Sequence, residues 1–329
     1  MATYKGIRGF TIPSLSADPP NPVIGQVWYN TTSATMKGRS VAAAGWSTGN
    51  NLTTATSTAG LTGTQTAAIN MAGFYDQNTT MLYDGTNWTA ANNLTYGRNS
   101  PGAFGTSTAA ICAGGYKTDD NATYTYSETW NGTGWTEGNN INTARGYLAS
   151  SNQGTTTAAL IFGGRAGPTG NAQTDSAESY DGTNWTESTA LNTAVQSACG
   201  GGTQTAAFCV AGSLPPNSTK NEQWNGTSWS ELTDINTARQ LAGSAGTVTA
   251  ALIYGGDPAT AITEKWNGTS WTEVGDMATA RRQMGKGTGS TSAALCAGGV
   301  PATTPPPVGA ATEEWNDPGP TSTVTFTAS

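Results

Sequence analysis

The sequence predicts an all-β fold built from one four-stranded antiparallel module used six times. Three observations carry this. Charged residues make up 11% and hydrophobic residues 36% of 329 residues, against ~25% and ~45–50% in ordinary globular chains. Glycine (43), threonine, asparagine and aromatics (11 Trp, 11 Tyr) fill the difference, a mixture that favours strands and turns over helices. Aromatic pairs five residues apart recur, with the leading aromatic at Tyr83, Trp130, Tyr180, Trp224 and Trp266 and a sixth at Trp315, at steps of 47, 50, 44, 42 and 49 residues. Asp-Gly or Asn-Gly stands inside each complete pair, at 84–85, 131–132, 181–182, 225–226 and 267–268, where a tight hairpin needs positive φ.

In chain order, residues 1–45 lie outside the repeat. Pro13, Pro19, Pro20 and Pro22 punctuate an extended lead-in, and Val27-Trp28-Tyr29-Asn30 followed by Met36-Lys37-Gly38 reads as a hairpin. Each repeat then opens with small residues, continues with an Ala-Ala block (from Ala67, Ala109, Ala158, Ala206, Ala250 and Ala293) that usually ends in Gly-Gly, and closes with the aromatic pair. In the third unit this predicts strands at Gly146–Gln153, Thr156–Phe162 and Ser176–Tyr180, a two-residue turn Asp181-Gly182, and a fourth strand around Trp185. A continuous apolar second strand suits a sheet covered on both faces, and four antiparallel strands every ~40–50 residues are the mark of a propeller blade.

The ends test this. Trp315 has no partner five residues on, whereas Trp46, in Gly45-Trp46-Ser47-Thr48, has no aromatic before it. The strand around Trp46 is therefore expected to complete the sixth blade and close the ring, leaving no free edge there.

Gly-Gly, a Glu-x-Trp/Tyr strand, a tryptophan five residues later and an arginine opening the next unit resemble the kelch repeat over roughly 46–316. Pro-Val-Ile-Gly-Gln-Val-Trp-Tyr-Asn-Thr-Thr (22–32) is similar to a segment of tail and fibre proteins of tailed bacteriophages, and the whole resembles virion structural proteins of marine, including cyanobacterial, phages. The expected organisation is a docking arm with a β-hairpin at 1–40, a six-bladed kelch-like β-propeller at 41–320, and a C-terminal strand at 321–329.

Composition narrows the chemistry. No histidine is present, which removes His-based general base catalysis, Ser-His-Asp and Cys-His nucleophiles, and His metal sites. The copper oxidases that share the kelch fold need histidine ligands, and Asp84-Gly85-Thr86-Asn87-Trp88 lacks a residue of the sialidase Asp-box. A net charge of −7 offers nothing to nucleic acid, and no apolar run reaches the ~18–20 residues of a membrane span. The start has no apolar export signal, so folding is expected in the host cytoplasm, with no cofactor and no metal. Cys112, Cys209 and Cys296 fall where other units carry Ile161 and Ile253 and read as small buried hydrophobes, with Cys199 unpaired.

Two groups are candidate sites. The position opening each unit is Thr56, Arg98, Arg145, Val195, Arg239 or Arg281, four arginines of only eight in the chain. They either ring one face and bind an acidic glycan or phosphate, or pair with the repeat glutamates Glu128, Glu178, Glu222, Glu264 and Glu313 as scaffold. Trp28 and Tyr29, outside the repeat, are candidates for docking to a partner or to the C-terminal strand. The expected function is a non-enzymatic phage virion protein, a tail fibre or adhesin carried in several copies. It would meet other virion proteins through its ends and host surface polysaccharide through the propeller. A capsid or tail decoration protein and a secreted lectin or carbohydrate-active enzyme are the alternatives.

Overall fold

The computed structural model describes residues 12–20, 25–40, 44–167, 172–302, 308–317 and 322–326. Most of the Pro-rich tract at 301–307 and the first residues of the arm lie outside that set. Among the described residues there is no helix, and so none long and apolar enough to cross a membrane. The chain divides into two units, one of Gly45–Asn316 and one of Met1–Ala44 with Asp317–Ser329.

Among the described residues of the larger unit the repeat forms six four-stranded antiparallel sheets. The first is Gly60–Thr64, Ala67–Met71, Thr80–Tyr83 and Trp88–Ala91; the second is Gly102–Thr106, Ala109–Ala113, Ser127–Trp130 and Trp135–Glu137. The third (Ala149–Ser150, Ala159–Phe162, Ala177–Tyr180, Trp185–Ser188) and fourth (Cys199–Thr203, Ala206–Val210, Asn221–Trp224, Trp229–Glu231) follow the same order. So do the fifth (Gly243–Thr247, Ala250–Tyr254, Thr263–Trp266, Trp271–Val274) and the sixth, Thr288–Gly289, Ala293–Ala297 and Thr312–Asn316. The fourth strand of the sixth sheet is Gly45–Gly49, with Trp46 opposite Trp315, the same register that sets Tyr180 opposite Trp185 and Trp266 opposite Trp271.

The Asx-Gly turns form one residue later than the sequence suggests. Gly182 and Thr183 are the central pair, because Asp181 keeps its backbone N–H on Asn184 O at 3.2 Å. Its carboxylate accepts the amides of Thr183 and Asn184 at 2.8 and 2.7 Å. Gly182, at φ 98°, supplies the positive angle. The third sheet departs more deeply. Its first strand is cut to Ala149–Ser150; Ser151 still bonds Leu160 O at 2.9 Å, and residues 152–153 leave the ladder towards strands of the first and sixth sheets.

The core sits between successive sheets. Phe162 and Leu160 of the third pack with Trp224 and Trp229 of the fourth, and Leu295 of the sixth packs with Leu61, Met81 and Trp88 of the first. Indoles fix the order. Trp135 Nε1 donates to Thr80 Oγ1 of the preceding sheet at 2.9 Å, Trp46 to Thr263 of the fifth at 2.9 Å, and Trp88 of the first to Thr312 of the sixth at 2.9 Å. The first strand of the first sheet likewise lies beside that of the second and beside that of the sixth.

In the smaller unit, Ser14–Leu15, Val27–Asn30, Thr35–Ser40 and Ser322–Phe326 make one sheet in that order. Its first pair is parallel and its last two pairs antiparallel. Described segments from the two terminal regions, Ser14–Leu15 and Ser322–Phe326, therefore share a sheet.

Candidate functional site

The arginines are the strongest candidates from sequence, and the fold buries them. Arg98, Arg145, Arg239 and Arg281 are no more than 2% exposed. Each guanidinium meets the glutamate of its own sheet: Arg145 Nη2 on Glu178 Oε1 at 2.8 Å, Arg281 on Glu313 at 2.6 Å, and the Arg98–Glu128 and Arg239–Glu264 pairs closer still. Each Nη1 donates to two backbone carbonyls, those of Gly163 and Ser176 for Arg145. The glutamate's other oxygen takes the backbone N–H of Asn142 at 2.7 Å, tying down the turn that leads to the arginine. With Nη1 and Nη2 spent inside the fold, no ring of arginines faces a ligand. The expectation of an acidic-glycan site on them is corrected to a buried brace, because desolvating a guanidinium demands a carboxylate and carbonyls around it.

Trp28 is also corrected. It is wholly buried in the arm sheet, its Nε1 on Asp18 Oδ1 at 3.0 Å, and is not presented to a partner. Lys37 at 2.7 Å, Asn30 at 2.6 Å and Trp28 together hold the Asp18 carboxyl down to about 2. Tyr29, on the other face of the strand, is 37% exposed and stays a docking candidate. The four cysteines are buried and free, and burial pushes the thiols of Cys112, Cys199 and Cys296 up to about 11. No cluster of metal-ligating side chains occurs among the described residues.

A cavity that the sequence alone does not reveal opens at the hairpins joining first and second strands. Every such turn reads Gly-(Thr/Ser)-x-(Thr/Ser)-Ala-Ala, from Gly63, Gly105, Gly154, Gly202, Gly246 and Gly289. In five of them the two hydroxyls face each other, at 3.5 Å for Thr64 and Thr66, 3.2 Å for Thr106 and Thr108, and 2.9 Å for Ser290 and Ser292. Turns of the first, second, third and sixth sheets surround a cavity of about 470 Å³, lined by Thr64, Gln65, Thr106, Gln153, Thr155 and Ser290 among others.

Its floor is the displaced segment of the third sheet. Asn152 Nδ2 donates to Gly287 O at 3.2 Å, Gln153 Nε2 to Gly289 O at 3.1 Å, and Thr62 Oγ1 to Asn152 O at 2.8 Å. Lys286 reaches across below them to Leu148 O, and burial pulls its ammonium down to about 8. The cavity is thus a cup with hydroxyl, amide and methyl walls and no charged side chain in its lining. Most of the lining surface is carbon from glycine, alanine and threonine methyls, with hydroxyls and amides set among it, a mixture suited to the C–H faces and hydroxyls of a neutral polyol. A signal for it is present in the sequence: the Thr-x-Thr flanks recur as regularly as the Ala-Ala block, but only the fold converges them.

No protein-family model and no curated protein matches this sequence. Among solved structures the chain is similar to that of YjhT, with a TM-score of 0.68 at 9% identity over 84% of this chain and 99% of that one. At that identity the likeness bears on fold alone, and with the sheet arrangement it gives a β-propeller-like architecture.

Proposed function

We propose that this is a non-enzymatic virion protein of a tailed bacteriophage, of tail-fibre or adhesin type. Its larger unit is a closed six-bladed kelch-like propeller that presents the cup, lined by Gly, Ala and Thr carbons with hydroxyls and amides among them, to host surface polysaccharide. The observation that carries the reading is the cup itself, a cavity of about 470 Å³, the size range of small-ligand sites, rimmed by hydroxyls. Six sheets in which the sixth adjoins the first, with Trp46 completing the last, support ring closure. The kelch-like repeat and the phage-like lead-in support the setting. Several copies on a particle would turn weak single-site binding into firm attachment.

The test is binding of the full chain to an array of neutral and acidic bacterial polysaccharides, beside the triple variant Thr64→Val, Thr106→Val, Thr155→Val. Binding by the parent that falls at least about tenfold in the variant, the worth of one or two hydrogen bonds, supports the reading. Silence of the parent across the array overturns it. A decoration role has one observation of its own, the sheet that joins strands of the N-terminal arm to Ser322–Phe326. It predicts that removing residues 1–40 abolishes incorporation into particles while the cup variant is incorporated and infects normally.

A further inference from the structure

Six slots in the larger unit are built to receive an arginine, and they are not filled alike. Four hold the Arg–Glu brace. The first has lost both halves, with Thr56 at the arginine position and Met81 at the glutamate position opposite Asn70. The fourth has lost one: Val195 replaces the arginine, while Glu222 remains, 4% exposed.

The glutamate and the two carbonyls that meet a guanidinium elsewhere are still in place there. Glu222 Oε2 accepts the Asn192 backbone N–H at 2.8 Å and its Nδ2 at 3.0 Å, as Glu178 does for Asn142. In the occupied slots Nη1 sits on two carbonyls, such as those of Gly114 and Tyr126 or of Gly298 and Ala311. The corresponding carbonyls here belong to Ala211 and Lys220, joined by Ala211 N–H on Lys220 O at 2.8 Å. Ala211 has φ 63°, against 62° at Gly114 and Gly163 and 60° at Gly255, so this backbone presents its oxygens in the same way. Lys220 does not replace the missing charge, since its ammonium pairs with Glu231 at 2.8 Å. In the arginine's place is a small cavity of about 10 Å³, lined by Val195, Ala211, Ser218, Lys220 and Glu222 among others.

We propose that this fourth slot is a monovalent-cation site, taking an ion of potassium or ammonium size on Glu222 Oε1 and the carbonyls of Ala211 and Lys220. A buried carboxylate without a cation is costly. Carbonyl and carboxylate oxygens can stand in for the hydration shell of such an ion. The cavity admits a single sphere about as large as a water molecule, too little for a guanidinium beside Val195. The ion supplies the positive charge that arginine supplies in four neighbouring sheets.

The experiment is thermal unfolding of the full chain in potassium, ammonium and tetramethylammonium chloride at matched ionic strength. Val195→Arg and Glu222→Gln are measured beside the parent. The expected result is a saturable rise in Tm, on the order of 2–4 °C, in potassium or ammonium over tetramethylammonium. Glu222→Gln removes that difference, and so does Val195→Arg, which carries its own cation. Equal Tm of the parent in all three salts overturns the proposal, and so does an ion effect that survives in Glu222→Gln. If Val195→Arg fails to fold, the parent and Glu222→Gln still decide the matter.

Discussion

Lys286 shows how one residue can break a repeat and leave a measurable trace. It stands near the first strand of the sixth sheet, where the chain is otherwise glycine and small side chains, and its ammonium ends on Leu148 O. Its pKa of about 8 when folded lies below the ~10.4 of an unfolded lysine. The folded state therefore carries a full penalty for the buried charge below pH 8. Between pH 8 and 10 the unfolded chain binds more protons than the folded one, so the penalty is relieved as pH rises. Lys286→Met is expected to be most favourable relative to the parent at or below neutral pH, with its advantage shrinking by pH 10 in denaturant titrations. Taking the difference between the two proteins cancels the buried tyrosines and the thiols of Cys112 and Cys296; Cys199 and Cys209 interact with the ammonium and belong to the same titration. A flat difference across that window would show that Lys286 stays as fully charged in the fold as in the unfolded chain, with no lowering of its pKa. Nothing in the sequence marks this half-buried lysine as desolvated, because its neighbours, Leu148 before the third sheet and Ser244 of the fifth, lie far away along the chain.

At the scale of the element, the recurrence of arginine with glutamate is legible in the sequence, which leaves both its uses open. The fold chooses the brace. Both residues sit where a strand end meets the loop from the previous sheet, and the loop's amides and carbonyls close over them. Removing one partner of such a pair should be worse than removing both, since the survivor is left buried and charged. Arg145→Thr is expected to cost ~3–5 kcal/mol, while the double variant Arg145→Thr, Glu178→Met, which copies the Thr56 and Met81 arrangement of the first unit, costs less. Chemical denaturation of both decides it, and a double variant at least as unstable as the single would contradict the brace. The hairpins form nearly where their dipeptides place them. Their central residues shift by one because the Asx side chain caps two amides of its own loop, a competition that a dipeptide rule does not contain.

For the whole molecule, the pairing of Trp46 with Trp315 is the most telling agreement between sequence and fold. It joins strands 269 positions apart, and the indole also reaches Thr263 Oγ1 at 2.9 Å and lies 4.7 Å from the Tyr254 ring. In the closed ring we propose, Trp46→Ala is expected to lower stability by about 3 kcal/mol. Hydrogen-exchange protection should be lost first along Thr312–Asn316, the strand that Gly45–Gly49 covers; even loss around all six sheets would contradict a latch. Period, turn chemistry and the orphan tryptophan are enough to determine strands, sheet number and the odd origin of the last strand, since each depends on local preference or on self-similarity. Which faces meet is another matter. The burial of the arginines and of Trp28, the cup floored by Asn152 and Gln153, and the arginine-free fourth slot each depend on residues from several strands converging. That convergence is set by side-chain volume and desolvation across the assembled sheets, quantities no single repeat contains.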